Sequence, residues 1–94
     1  MRLLITYDVS TVDKAGERRL RRVARACEDF GTRVQKSVFE CTVGEKDWVQ
    51  LQARLMAEMD VKQDSLRVYF LDVDVRIEHH GPAEPPDLAG PLIV

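Results

Sequence analysis

Hydrophobic and polar residues alternate at the start of the chain, in residues 3–9. The odd positions are all apolar or aromatic, whereas the even positions run from Leu4 through Thr6 to Asp8. Alternation with a period of two is typical of a β-strand with two unlike faces. The pattern therefore predicts a first strand that ends on a carboxylate, with Asp8 on the face opposite Tyr7.

Two later segments repeat their apolar residues at helical spacing. The first helix is predicted from Leu20, Val23, Ala24, Cys27 and Phe30, and Gly31 is expected to end it. The second is predicted from Trp48, Leu51, Leu55 and Met59, after Gly44. Packing against a shared core is the favoured role of these apolar positions.

The segment between the helices, residues 32–43, has β character but changes parity. Val34 is even, whereas Phe39, Cys41 and Val43 are odd. A change of parity indicates a bulge or tight turn, here near Lys36-Ser37, and so predicts two short strands. Residues 66–71 alternate again and predict a further strand, and residues 75–78 predict a shorter one before Gly81.

The resulting order is βαββαβ plus one strand, which predicts an α+β fold: a ferredoxin-like sandwich with an additional C-terminal strand. Residues 1–81 are predicted to form this domain, and residues 82–94 are predicted to be a Pro/Gly-rich C-terminal tail. Right-handed crossovers place both helices on one sheet face. The other face, with Leu4, Tyr69 and Leu71, would be exposed apolar surface, so we expect a homodimer through this face or the extra strand.

Composition limits the class of protein. A chain of 94 residues, 45% hydrophobic and 32% charged, is typical of one soluble globular domain. No apolar run has the length of a membrane span and no signal peptide is evident, so a cytoplasmic location is expected. Cys27 and Cys41 lack metal-ligand spacing and are expected to be core thiols. His79 and His80 would point to opposite faces and are not expected to share an ion.

Charge is unevenly distributed along the chain. Residues 1–36 hold nine Lys or Arg against five acids, whereas residues 37–94 hold five against eleven. The basic half could meet a polyanion. A pI near 5.6 argues against bulk electrostatic binding of nucleic acid, so any phosphate contact should be local.

Asp8 is the candidate metal ligand. The predicted topology brings it beside the Lys36-Ser37 turn, and the N-terminus of the first helix faces the same edge. Mg²⁺ takes one or two carboxylates together with waters and substrate oxygens, and twofold symmetry could supply a second Asp8. The alternative is that Asp8 caps the following turn or helix, which from spacing alone is the commoner role.

A row of arginines on the first helix is the candidate phosphate-binding surface. Like charges three or four positions apart repel one another, and an external phosphate chain would relieve this repulsion. An ordinary solvated face, with acids supplied by other elements, explains the same pattern. The residues are Arg18, Arg19, Arg21, Arg22 and Arg25.

Three segments together resemble the CRISPR-associated protein 2 family. They are YDVS at residues 7–10, RRLRRVARACEDFG at 18–31 and RVQKSVFEC at 33–41. The resemblance implies a ferredoxin-like homodimer in which Asp8 of each chain binds Mg²⁺ or another divalent cation. It also implies metal-dependent cleavage of RNA or DNA phosphodiesters. The family's functional positions correspond here to Tyr7, Asp8, Arg19, Arg21, Arg33 and Phe39, and Ser37 lies in the same motif.

The resemblance also implies a role in CRISPR spacer acquisition. The family dimer bridges two dimers of the CRISPR-associated protein 1 integrase, with a DNA fragment laid across them, and its terminal strand pairs with the other protomer or with the integrase. The expected activity is that of a Mg²⁺-dependent endonuclease with Asp8, Arg33, Ser37 and Phe39 as catalytic residues. A non-catalytic nucleic-acid-binding adaptor and a toxin-like or sensor domain of the same fold remain as alternatives.

Overall fold

The secondary structure follows the predicted order through six elements. In the computed structural model, which describes residues 1–72 and 74–82, the elements are β1 (Arg2–Asp8), α1 (Lys14–Glu28), β2 (Gly31–Gln35), β3 (Val38–Thr42), α2 (Glu45–Glu58) and β4 (Ser65–Leu71). The strands form one sheet in the order β2-β3-β1-β4, and every neighbouring pair is antiparallel. This arrangement confirms the predicted α+β, ferredoxin-like βαββαβ fold.

The core lies between the helices and one face of the sheet. On the central strand β1, the side chains of Leu3, Ile5 and Tyr7 are buried. Ile5 lies opposite Phe39 of β3 and Val68 of β4, so three strands present apolar residues to the same side. The helices contribute buried residues at the predicted positions, namely Leu20, Val23, Ala24, Cys27, Leu51 and Leu55. The two cysteines are free and buried, as predicted.

The opposite sheet face is open in the protomer. Leu4 lies there between Glu40 and Tyr69 in the strand register, and the Tyr69 side chain is 43% exposed. Leu71 lies on the same face, opposite Arg2. The predicted sharing of this face by Leu4, Tyr69 and Leu71 is therefore confirmed, and Asp8 extends the same row of β1 side chains.

The predicted turn at Lys36-Ser37 is present and joins β2 to β3. The register shifts between Arg33 and Gln35, which places the irregularity at Val34. Arg33 lies before the shift, pairs with Phe39 and is buried with it, whereas Val34 is exposed. The structure thus confirms two short strands and the tight turn, but the expected change of parity is wrong, because the buried residue of β2 is the cation Arg33 and not Val34.

Gly31 does not end α1 in the predicted manner. The helix ends at Glu28 with Asp29 as its C-cap, and Gly31 begins β2 without the left-handed backbone of a glycine cap. Its missing side chain serves packing instead, because a Cβ at this position would lie 2.1 Å from the Glu40 carbonyl oxygen. The same kind of close approach fixes the start of α1, where a Cβ on Gly16 would lie 1.8 Å from the Ser10 carbonyl oxygen.

The predicted additional C-terminal strand is not formed in residues 74–82 of the protomer, which corrects that expectation. The Val75 N–H donates to the Asp72 carbonyl at 3.2 Å, so the chain turns where the strand should begin. Alternating residues become a strand only when a neighbouring strand pairs with their backbone groups. Of the predicted tail, residues 83–94 lie outside the described residues. Neither α1 nor α2 is long and apolar enough to cross a lipid bilayer.

Candidate metal and nucleic-acid site

Asp8 is the last residue of β1, and its side chain is exposed. It lines a shallow pocket together with the backbone segment that leads into α1 and with the β2–β3 turn; the lining residues are Tyr7, Asp8, Val9, Thr11, Leu20, Lys36 and Ser37. The predicted proximity of Asp8 and Ser37 is therefore present. Within residues 1–72 and 74–82, no side chain or backbone group donates a hydrogen bond to the Asp8 carboxylate.

Asp13, not Asp8, caps α1. Its side chain accepts a hydrogen bond from the Gly16 N–H at 2.8 Å, and its carbonyl accepts one from the Glu17 N–H at 3.2 Å. Because the cap position is filled five residues downstream, the alternative role for Asp8 as the helix cap is not supported. Its carboxylate remains available to an external cation.

A backbone hydrogen bond joins the β2–β3 turn to the end of β1. The Tyr7 N–H donates to the Ser37 carbonyl at 2.9 Å, next to the residue that carries the candidate carboxylate. Lys36 is half-buried beside this contact and brings a cation to the pocket. A carboxylate and an ammonium in one concave site suit a metal ion and a phosphate oxygen, respectively.

Arg33 and Phe39 lie beneath the turn, on the helix-covered side of the sheet. The Arg33 guanidinium donates to the Lys36 carbonyl through Nε, at 2.8 Å, and through Nη2. It also stacks over the Phe39 ring, 5.7 Å from the centroid, and Phe39 is fully buried. Burial lowers the pKa of Arg33 from its ordinary high value. Neither side chain lines the pocket with Asp8, and their contacts suit them to holding the turn.

Replacing Arg33 tests this placement. The Arg33→Ala variant is expected to lose about 2–3 kcal/mol of unfolding free energy, because charged hydrogen bonds and a cation–π contact disappear from a buried position. Chemical denaturation would measure the loss, and Arg33→Lys, which keeps the charge without the planar fork, should lie between the two. Unchanged stability combined with lost cleavage would instead make Arg33 a catalytic residue.

The structure contains a buried polar cluster that the sequence did not reveal. Asp64, just before β4, accepts hydrogen bonds from the Tyr7 hydroxyl and from Arg19. Burial opposes ionisation of Asp64, but the hydrogen bonds from Arg19 and Tyr7 outweigh it, and the pKa of this carboxyl is lowered. Burial and the Asp64 charge both raise the pKa of Tyr7, which keeps its hydroxyl protonated. Nothing in the local pattern around Asp64 separates it from an ordinary loop acid.

The predicted arginine surface divides into two parts. Arg19 points inward and forms an ion pair with Asp64, at 2.9 Å. The other four arginines are exposed on the solvent side of α1, and Arg22 is 3.8 Å from Glu58. We call these four the arginine face; they are Arg18, Arg21, Arg22 and Arg25. Within the described ranges, the only ion pair that this face makes is Arg22–Glu58.

A metal ion could find only part of its ligand set in one protomer. In the part of the chain that is described, no cluster of three His, Cys, Asp or Glu side chains is placed to hold an ion. His79 and His80 are exposed and bond to nearby groups, as Nε2 of His79 lies 2.7 Å from the Gly81 carbonyl. Mg²⁺ nevertheless fits Asp8, because it binds proteins through one or two carboxylates and keeps several waters.

The fold and site define a class of small ferredoxin-like α+β proteins in which the central strand ends on an exposed acid beside a basic helix. The family model described as "CRISPR associated protein Cas2" matches residues 1–76, and the chain belongs to this family.

Two curated relatives and one crystal structure illustrate the similarity. The chain is 54% identical to "CRISPR-associated endoribonuclease Cas2" of Chlorobaculum tepidum, with 100% of both chains covered. It is 45% identical to "CRISPR-associated endonuclease Cas2" of Halalkalibacterium halodurans, with 99% of both covered. The crystal structure of Streptococcus pyogenes Cas2 at pH 6.5 superposes with a TM-score of 0.80 at 47% identity, covering 86% of this chain and 100% of that one.

Proposed function

We propose that the protein acts in CRISPR spacer acquisition as a homodimer that cleaves RNA or DNA phosphodiesters with the help of Mg²⁺ or another divalent cation. The observation that carries the proposal is the placement of Asp8. Its carboxylate is exposed at the end of the central strand, in a pocket with Lys36 and Ser37. The names of the relatives, an endoribonuclease and an endonuclease, support nuclease chemistry without deciding between RNA and DNA.

The open sheet face supports the homodimer. Leu4, Tyr69 and Leu71 would cover one another if two copies packed through this face, and Asp8 continues the same row. Two carboxylates that approach a twofold axis repel each other unless a proton or a cation lies between them. Asp8 of each protomer would therefore hold the ion jointly.

The chain's own groups suggest how a phosphodiester would be handled. A divalent cation held by the two Asp8 side chains would polarise the phosphodiester and lower the pKa of the attacking water. Lys36 would bind a phosphate oxygen from the same pocket, and the arginine face would hold the adjoining backbone. Tyr7 is excluded as a base, because its hydroxyl is buried and donates to Asp64. Asp8 is then the candidate acceptor for the water's proton.

The arginine face favours a second function, that of a DNA-binding scaffold. Four exposed cations on one helix can bind a duplex through its phosphates without reading bases. In this function the dimer bridges two dimers of the CRISPR-associated protein 1 integrase and holds the DNA fragment between them. Scaffolding and cleavage are compatible in one dimer, since the arginine face and Asp8 belong to different elements.

A metal-dependence experiment tests the proposed function. The purified protein is expected to be a dimer by light scattering and to cleave single-stranded RNA or duplex DNA in Mg²⁺. Cleavage should stop with a chelator and return when Mg²⁺ is restored in excess. Duplex binding that persists in chelator without any cleavage in Mg²⁺ would favour the scaffold alone. A monomer at assay concentration would refute the shared metal site.

A further inference from the structure

Asp64 is a fully buried carboxylate outside the candidate pocket. Its side chain has 0% of its surface exposed, and it lies in the loop between α2 and β4, immediately before β4 begins. An ionised group at such depth is costly unless every lone pair is matched by a donor. The hydrogen-bond donors around Asp64 therefore decide whether its buried charge is stable.

Four donors from three parts of the fold converge on this carboxylate. From α1, Arg19 donates through Nε to Oδ2 at 2.9 Å and through Nη2 to Oδ1 at 3.2 Å. From the end of β1, the Tyr7 hydroxyl donates to Oδ2. From the C-terminal side of α2, the Asp60 N–H donates to Oδ2 at 2.9 Å. The carboxylate thus connects α1, β1 and the loop that leads into β4.

Two residues next to Asp8, the proposed metal ligand, adjoin this cluster. Tyr7 directly precedes Asp8 in β1, and Ser65, which directly follows Asp64, is the register partner of Asp8 in β4. The Tyr7 N–H is further bound to the Ser37 carbonyl of the β2–β3 turn. The Asp8 carboxylate itself extends from a strand end that is anchored on the buried side by Asp64 and Tyr7.

We propose that Asp64 is a positioning residue for the metal site at Asp8, acting through the Tyr7 hydroxyl and through the Asp8–Ser65 strand pair. The inference rests on the proposed function, because it assigns Asp64 a part in that same site. Metal ligands must be held to within about 0.5 Å, and a strand end that could fray would not keep two carboxylates in register across a dimer. A fully hydrogen-bonded buried network supplies this rigidity.

The charge of the cluster favours positioning over stabilisation alone. A buried ion pair is weak evidence for stability, since well-packed apolar residues of similar volume often stabilise a fold as much or more. Arg19 points toward Asp64 and therefore does not contribute to the arginine face. The bidentate pair and the tyrosine hydroxyl meet beside the strand end that carries Asp8, where they fix its position.

The test compares metal binding, which a purely structural role would leave unchanged in a folded variant. Mn²⁺ is the probe, measured by titration calorimetry and by electron paramagnetic resonance on the dimer. The Asp64→Asn variant keeps the shape of the side chain but loses the charge. We expect Mn²⁺ affinity and kcat each to fall about 10- to 100-fold, the range typical of groups that orient metal ligands. KM for nucleic acid should change by less than about twofold, because the arginine face is intact.

Two further variants keep the experiment decisive. Tyr7→Phe removes one donor while leaving the Asp64–Arg19 pair, so it should fold and show a smaller loss of Mn²⁺ affinity in the same direction. Asp47→Asn, an exposed acid on α2, should change nothing. If Asp64→Asn does not fold, Tyr7→Phe decides the question alone. Wild-type Mn²⁺ affinity in the folded variants would overturn the inference.

The Asp8→Asn variant separates this inference from the proposed function. Loss of Mn²⁺ binding in Asp8→Asn with normal binding in Asp64→Asn would overturn only the positioning role. Equal Mn²⁺ binding by wild type and Asp8→Asn would overturn the metal site, and the positioning role would fall with it.

Discussion

The Asp8→Asn variant is expected to lose Mg²⁺-dependent cleavage by more than about 100-fold, beyond the loss typical of residues that only orient a metal ligand. The substitution is nearly isosteric and removes the charge that the cation needs. Because the side chain is exposed and unbonded within the described residues, folding stability should change by less than about 0.5 kcal/mol. In a dimer both carboxylates disappear together, which makes the effect larger than that of a single lost ligand.

Single-turnover cleavage rates at saturating protein would measure the loss, with Asp47→Asn as the matched surface control. Duplex binding in chelator should equal that of wild type, since the arginine face is untouched. A variant that cleaves as fast as wild type would point to a contaminating nuclease rather than to this protein.

A mixed dimer extends the same experiment to the shared site. Wild-type and Asp8→Asn protomers with different affinity tags can be co-expressed, and the mixed species can be isolated by sequential purification. Two independent sites would leave half of the activity, whereas one ion held by both carboxylates should leave far less. Half activity would therefore contradict the shared ion while retaining Asp8 as a ligand.

The six elements were predictable because burial on one side sets the period of each. Alternation at Leu3, Ile5 and Tyr7 and helical spacing at Leu20, Val23 and Cys27 both report the same core, and each residue is buried as expected. The local spacing of apolar residues reveals each element because the core lies on one side of every strand and helix. The candidate pocket followed from the topology, which brings the end of β1 to the β2–β3 turn.

The features that escaped prediction depend on contacts between distant residues. Arg19 and Asp64 are 45 residues apart, and Tyr7 and Asp64 are 57 apart, so no periodic signal links them. The buried position of Arg33 was not predicted, because an alternating pattern assigns the buried face to the apolar Val34 rather than to a neighbouring cation. Residues 75–78 have the alternation of a strand, but they pair with neither edge strand of the protomer's sheet, β2 or β4.

Neutralising the arginine face is expected to weaken duplex DNA binding by about 100-fold at low salt and to flatten its salt dependence by about one unit of slope for each lost phosphate contact. The variant replaces Arg18, Arg21, Arg22 and Arg25 by Gln. It retains Arg19, because its removal would leave the buried Asp64 carboxylate without its cationic partner. Stability should be unchanged or slightly higher, because like charges three and four positions apart on α1 no longer repel.

The matched control removes four cations from other elements, replacing Lys46, Arg54, Lys62 and Arg76 by Gln. It has the same net charge as the first variant, so it separates a local contact from general attraction, and its binding should fall far less. Equal weakening of both variants would show that net charge alone governs binding. Undiminished binding by the first variant would remove α1 from the nucleic-acid site. Asp8→Asn should bind duplex DNA without cleaving it, because its loss falls on kcat. The arginine variant should still cleave short substrates at saturation, because its loss falls on KM.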